Sequence, residues 1–247
     1  MRPCVPSLIG LLLLTTGTAR AAGVYGPSGL FLHTTAYLPP PGAPTVGATV
    51  FTQVRRTATG DHTITWAPIF ADGRIGHRAE LGAVYLYQRF QGANLSSYGG
   101  FAKYQLFPER LKTPAVAMDA EIISGDLRQQ ALNLVASKDF THCVNRTLRL
   151  HLGWTLHRRS DLEGPNGRFS ETDNAPFVGV EVGIAPRLRF IAEGEAKLKF
   201  YPAAATAFGL MWAPSGKIGI AVGWVNTGRS QSLGPFFGVG YRVRTVD

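Results

Sequence analysis

Between Leu148 and His157 the chain alternates without a break. Leu148, Leu150, Leu152, Trp154 and Leu156 fall on one face, and Arg149, His151, Gly153, Thr155 and His157 on the other. A period of two is a strand with unlike faces, because successive side chains on a pleated backbone point to opposite sides. The pattern returns in Leu188–Phe200. There Leu188, Phe190, Ala192, Gly194, Ala196, Leu198 and Phe200 oppose Arg189, Ile191, Glu193, Glu195, Lys197 and Lys199. It also governs Ala175–Ile184, where Val178, Val180, Val182 and Ile184 oppose Phe177, Gly179, Glu181 and Gly183. Extended over the chain, the same reading predicts Ala48–Thr57, His62–Phe70, Arg78–Phe90, Ser97–Phe107, Thr113–Ser124, Ala131–Phe140 and Thr147–Arg158. After Ala175–Ile184 and Leu188–Phe200, it adds Ala205–Trp212, Ile218–Asn226 and Pro235–Val243. No segment carries a useful helical period, and beyond the first residues no run of 18 apolar residues would make a spanning helix.

Alternation alone serves a soluble sandwich as well as a membrane barrel. Soluble strands average about 5–6 residues. The predicted strands run 8–13 residues, which brackets the ~9–11 that a tilted strand needs to cross a bilayer. The N-terminus points the same way. Arg2 precedes the short apolar run Leu8–Leu14, and Ala19-Arg20-Ala21 forms a small-x-small site, the pattern of a cleaved secretory signal. Connections agree as well, if both termini are periplasmic. The longest predicted loop, Ser160 to Asn174, then faces outward, while Ala185-Pro186-Arg187 and Pro214-Ser215-Gly216-Lys217 face inward. The expectation is an all-β fold: an antiparallel transmembrane β-barrel of about 12 strands, within a range of about 10–14, located in the bacterial outer membrane. The chain divides into a signal peptide (1–21), a Gly- and Pro-rich entry segment (22–47) and the barrel (48–247).

Composition narrows the partners. The formal charge is +9, and loss of Arg2 and Arg20 with the signal leaves +7. Such a balance suits nucleic acid, an anionic membrane surface or an acidic polymer, and export argues against nucleic acid. Cys143 is the one cysteine of the mature chain, so stability must come from burial or from the bilayer rather than from an intramolecular disulfide. Outer-membrane lipid is therefore an expected partner. Trp66, Tyr87, Phe90, Phe107, Phe140, Phe200, Tyr201 and Trp212 lie near strand ends and are candidates for interfacial girdles, or ordinary strand aromatics. Near the C-terminus, Gly238, Tyr241 and Val243 resemble the last-strand signal read by the outer-membrane barrel assembly machinery, followed by the short tail Thr245-Val246-Asp247.

Several short blocks carry a family resemblance. Ala102-Lys103-Tyr104-Gln105-Leu106-Phe107 followed by Thr113-Pro114-Ala115-Val116-Ala117 resembles the YjbH-like family of outer-membrane barrels. So do Val135-Ala136-Ser137-Lys138 with Leu150-His151-Leu152-Gly153-Trp154, and Phe177-Val178-Gly179-Val180-Glu181 with Ile191-Ala192-Glu193. Gly26-Pro27-Ser28-Gly29-Leu30 is similar to the Gly-rich start of that family. The resemblance implies a non-enzymatic role in cell-envelope or exopolysaccharide export, with exopolysaccharide or its export proteins as partners.

The chemistry of the residues is sparse. His151 and His157 share a strand face but lie six positions apart, roughly 20 Å, too far to share a metal, and no cofactor or metal is expected. His33, His62, His77 and His142 are scattered singly. His157 with Ser160 is the one local pair that could serve a lipid-modifying enzyme, and only on a groove facing lipid. The sharper feature is a set of charges expected to face the lumen: Lys103, Asp119, Glu121, Arg149, Glu181, Arg189, Glu193, Glu195, Lys197 and Lys199. Charges withdrawn from water must pair or be hydrated. Facing charges of both signs tend to close a narrow lumen as a salt-bridged plug of side chains. The alternatives are a hydrated conduit or surface for a polar, acidic polymer, and a small-solute porin.

Overall fold

A computed structural model of the chain describes residues 30–42, 44–57, 60–144, 146–164 and 167–243. The expected signal peptide lies outside the described residues. Twelve strands form one sheet: β1 (Thr45–Thr57), β2 (Gly60–Ile75), β3 (Ala79–Phe90), β4 (Ala93–Phe107), β5 (Ala115–Gly125) and β6 (Gln129–Asp139), then β7 (Leu148–Gly164), β8 (Gly167–Ala185), β9 (Leu188–Glu195), β10 (Ala205–Trp212), β11 (Ile218–Thr227) and β12 (Gly234–Arg242). Each strand pairs with its sequence neighbours, and β1 pairs antiparallel with β12 from Thr45↔Arg242 to Phe51↔Phe236, so the sheet closes into a barrel. Closure leaves no open edge, which a sheet inside hydrocarbon requires. A single helical turn, α1 (Thr141–Val144), lies between β6 and β7. Below, the near end is the rim where β1 begins and β12 finishes; the far end is the opposite rim.

The two faces are inverted relative to a soluble protein. Leu150, Leu152, Trp154 and Leu156 of β7 are exposed, as are Val178 of β8, Leu210 and Trp212 of β10, Val222 and Trp224 of β11, and Phe237, Val239 and Tyr241 of β12. The alternate positions Lys103, Asp119, His151, Thr155 and Glu181 are buried. A closed sheet with an apolar outer band and a polar interior is the architecture of a bacterial outer-membrane barrel.

Two expectations need correcting. The predicted loop Ser160–Asn174 is instead a continuation of the β7–β8 hairpin, paired from Arg159↔Glu171 past a register shift to Gly164↔Gly167. It alternates too weakly to announce itself as strand. The predicted strand Leu188–Phe200 ends at Glu195, and β10 begins only at Ala205. Among the girdle candidates, Phe107 and Trp212 face outward, whereas Trp66 is 1% exposed and Tyr201 is buried, both inside.

The apolar band supplies a direct check. Leu152→Arg, placed on the lipid face of β7, should cost about 2–4 kcal/mol in lipid vesicles, read from denaturant unfolding; an unchanged midpoint would mean that this face does not contact lipid.

Candidate functional site

The lumen is occupied by the chain itself. Leu30 to Pro40 run inside the barrel before the chain turns out to β1, with Leu30, Thr35 and Ala36 fully buried and Phe31 1% exposed. Much of this segment is held by inward-facing wall residues. Phe31 packs edge-on against Phe236 of β12 at 4.7 Å. Leu30 fills the space that a side chain at Gly179 would need: a Cβ there would meet Leu30 Cδ1 at 2.1 Å. Further along, the Ala36 amide donates to Ser137 Oγ at 2.8 Å, and Lys103 Nζ and Gln105 Nε2 donate to the carbonyls of Tyr37 and Ala36. These bonds satisfy backbone groups that an irregular buried segment cannot pair within itself.

Charge pins the plug at both levels. His33 sits between two carboxylates, Nδ1 2.9 Å from Glu193 Oε2 and Nε2 3.2 Å from Glu195 Oε2. Both ring nitrogens therefore donate, which makes the ring an imidazolium cation. The Glu193 carboxylate also accepts the amides of Leu32 and His33 at 2.6 and 3.1 Å. The ring stacks on Phe177 at 4.3 Å and 13°, and Phe177 in turn lies over Gly153, where a Cβ would meet its Cζ at 2.1 Å. At the near end, Tyr37 donates its hydroxyl to Glu109 Oε2 at 2.6 Å and lies 5.4 Å from the Arg149 guanidinium. Burial works against ionisation of Glu109. The Tyr37 hydroxyl, Lys138 and the Asp139 amide outweigh it and hold the carboxyl below its ordinary range. This anchor is therefore complete above the ordinary glutamate pKa and is lost only as pH falls through the depressed value.

The wall charges form rows because strand register sets them side by side. Glu80, Lys103, Asp119 and Asn133 are successive cross-strand partners on β3 to β6. Lys103 Nζ lies 2.6 Å from Glu80 Oε2 with both side chains fully buried, and Asn133 donates to Asp119 at 2.8 Å. Removing one partner of such a pair costs about 3–5 kcal/mol, since the other charge is left stranded. A second row links Asp139, Arg149 and Glu181, with Arg189 2.7 Å and His151 3.3 Å from the Glu181 carboxylate.

Above the plug, the long β9–β10 connection folds inward and inserts Leu198 and Tyr201 as a cap. Between plug and cap is a cavity of about 60 Å³ lined by His33, Glu121, Gln129, Asn133, His157 and Glu195. Outside the cap, a cleft of about 410 Å³ opens at the far end among Arg55, Arg159, Arg229, Phe90, Phe200 and Tyr201.

With this geometry in view, the comparisons with known proteins are clear as to fold and silent as to family. No family model and no curated protein matches the chain. Among solved structures, the barrel is similar to the KdgM porin (12% identity, 80% of this chain and 98% of that one, TM-score 0.53). It is likewise similar to the COG4313 outer membrane channel from Pseudomonas putida F1 (9% identity, 83% and 97%, TM-score 0.55). The shared feature is the outer-membrane barrel fold.

Of the charges singled out in the sequence, Lys103, Asp119, Arg149, Glu181, Arg189, Glu193 and Glu195 point inward and belong to the networks above. Glu121 lines the small cavity, 3.4 Å from Gln129 Nε2. Lys197 and Lys199 do not face the lumen. They follow the end of β9, both exposed, and Lys199 lies against Asp173 instead. His157 turns inward, 3.5 Å from Glu195 Oε1, so His157 and Ser160 do not meet on a groove facing lipid. Sequence reasoning missed Glu80 and Tyr37, and set His33 aside as a singly scattered histidine of a loop or the lumen. Glu80 lies opposite Lys103, a pairing visible only once register is known. His33 and Tyr37 sit in a segment without period.

The His33 clamp is testable by amide exchange. Glu193→Ala should raise exchange at the Leu32 and His33 amides about tenfold or more, while the Ala36 amide, held by Ser137, moves less; equal protection in the variant would contradict the clamp.

Proposed function

We propose that this barrel is a non-enzymatic component of the bacterial cell envelope that acts in exopolysaccharide export, with a lumen kept closed by its own N-terminal segment. The observation that carries the closed state is the segment Leu30–Pro40, buried in the lumen and pinned by Glu193 and Glu195 at one level and Glu109 at the other. Paired charges of both signs on the wall reinforce it. The export role draws its support from the resemblance to YjbH-like barrels and from a basic chain suited to an acidic polymer. Exopolysaccharide or its export proteins are then the partners, and movement of the plug is the step that opens a path. A small-solute channel is the second reading. It is favoured by the fact that a chain segment, rather than converging wall strands, closes a polar bore.

Planar-bilayer recording separates the two. The closed reading expects no steady conductance from the wild type, and openings from a Glu109→Ala, Glu193→Ala variant that frees the plug at both levels. Steady wild-type conductance would instead support the small-solute channel. The export role is read in cells: loss of the protein should lower secreted exopolysaccharide several-fold, with recovery on re-expression, and unchanged secretion would overturn it.

A further inference from the structure

The near end carries a charge pattern that neither plug nor wall networks use. Its connections join β2 to β3, β4 to β5, β6 to β7, β8 to β9 and β10 to β11. Each holds an exposed cation: Arg78, Arg110 with Lys112, Arg146, Arg187 and Lys217 in turn. None of these side chains pairs with a carboxylate among the described residues. Arg187 donates to the Pro214 carbonyl at 2.8 Å, which leaves its charge unneutralised. The carboxylates beside them are half-buried and already bound, Glu109 to Tyr37 and Lys138, and Asp139 to Arg149. The far rim differs: exposed Arg56 faces exposed Asp61 at 3.2 Å, and Asp126 is exposed as well.

Depth in the bilayer is marked by aromatics. Tyr104 and Phe107 at the end of β4, Trp212 at the end of β10 and Tyr241 at the end of β12 are exposed on the outer wall just inside these turns. Such rings settle where hydrocarbon meets headgroups, so the cations one step beyond them stand among the headgroups. The leaflet follows from the connections. The β7–β8 hairpin, paired out to Gly164↔Gly167, projects from the far end, whereas Pro186 and Arg187 alone join β8 to β9 at the near end. In outer-membrane barrels long projections face the exterior and short turns the periplasm. The near rim thus meets the periplasmic leaflet, which is built of phospholipid.

We infer that the near-end turns form a collar that binds anionic phospholipid headgroups of the surrounding bilayer, with Arg78, Arg110, Lys112, Arg146, Arg187 and Lys217 as its cations. The ring-like spacing favours a lipid surface over a soluble polyanion. Successive near-end turns are two strands apart, about 10 Å, which exceeds the Debye length of about 8 Å at physiological salt. Each turn therefore meets its own anion, and a bilayer supplies one at every point of the perimeter, whereas a single strand of polymer would reach only a few. The absence of exposed carboxylates among the described residues of this rim leaves the ammonium of a zwitterionic headgroup without a partner, so net negative lipids are preferred. The inference rests on the barrel's place in the membrane and not on the export role.

Electron spin resonance of spin-labelled lipids around the full-length barrel in phosphatidylcholine vesicles tests it. Labelled phosphatidylglycerol should be enriched about threefold over labelled phosphatidylcholine in the motionally restricted shell. That is less than the roughly fivefold of a single contact, because the label also samples the far rim. The enrichment should fall as salt rises, and labelled phosphatidylethanolamine should show little of it. Arg78→Gln, Arg110→Gln, Arg146→Gln and Lys217→Gln combined should bring the ratio close to one, with retained heat-modifiable gel mobility certifying the fold. Arg56→Gln with Arg89→Gln at the far end should leave the ratio as in the wild type. No enrichment in the wild type, equal enrichment of phosphatidylethanolamine, or a near-end variant that behaves like the wild type would each overturn the collar. So would a loss caused by the far-end pair. Absence of any lipid preference, together with binding of a galacturonate oligomer that the near-end substitutions abolish, would overturn it in favour of a soluble acidic polymer.

Discussion

Closing twelve strands into one barrel directs every second side chain into a space that bulk water barely reaches, and charges placed there must find partners. That constraint shapes the interior of this protein. Strand register answers part of it by setting Glu80, Lys103, Asp119 and Asn133 in one row and Asp139, Arg149 and Glu181 in another. Glu193 and Glu195 lie outside both rows, with His157 of β7 3.5 Å from Glu195 Oε1. His33, brought in on the N-terminal segment, stands between them. The plug is thus part of the charge balance of the barrel rather than an accessory lying in it, and its backbone is satisfied by the same wall residues.

Space inside is set by small residues. Gly179 leaves the seat for Leu30, and Gly153 lets the Phe177 ring lie flat against the wall where it meets His33. The plug therefore reads the wall in two ways, by charge and by shape, at positions a few residues apart on β7, β8 and β9. The inward β9–β10 connection completes the closure from the far end. Tyr201 of this connection also carries two guanidiniums against its ring, Arg159 at 5.5 Å and Arg229 at 5.3 Å.

The fold was largely legible in the sequence because a barrel in lipid imposes a period of two on each strand, and that period survives in β7, β8 and β9 with little noise. The lumen-facing identity of Lys103, Glu181 and Glu193 followed from the same alternation. What alternation could not reveal is where it stops. Lys197 and Lys199 continue the pattern of β9 on paper, yet the chain leaves the sheet after Glu195 so that Leu198 can turn inward. Trp66 resembled a girdle residue by its place near a strand end, but parity along β2 puts it inside. The plug was illegible for a deeper reason. An irregular segment held largely by its surroundings has no period of its own, so the importance of His33 and Tyr37 emerges only from the residues they meet.

The presence of Leu30–Pro40 inside the barrel in a membrane is tested most directly by a cross-link. The Ala36 amide reaches Ser137 Oγ at 2.8 Å, so cysteines at the two positions would lie within the span of a short bifunctional thiol cross-linker. Ala36→Cys with Ser137→Cys, in a Cys143→Ser background, should be joined by a cleavable cross-linker of that kind in native membranes and show a mobility shift that cleavage of the linker reverses. Free thiols at both positions that react readily with a bulky polar maleimide, with no cross-link formed, would contradict the plug.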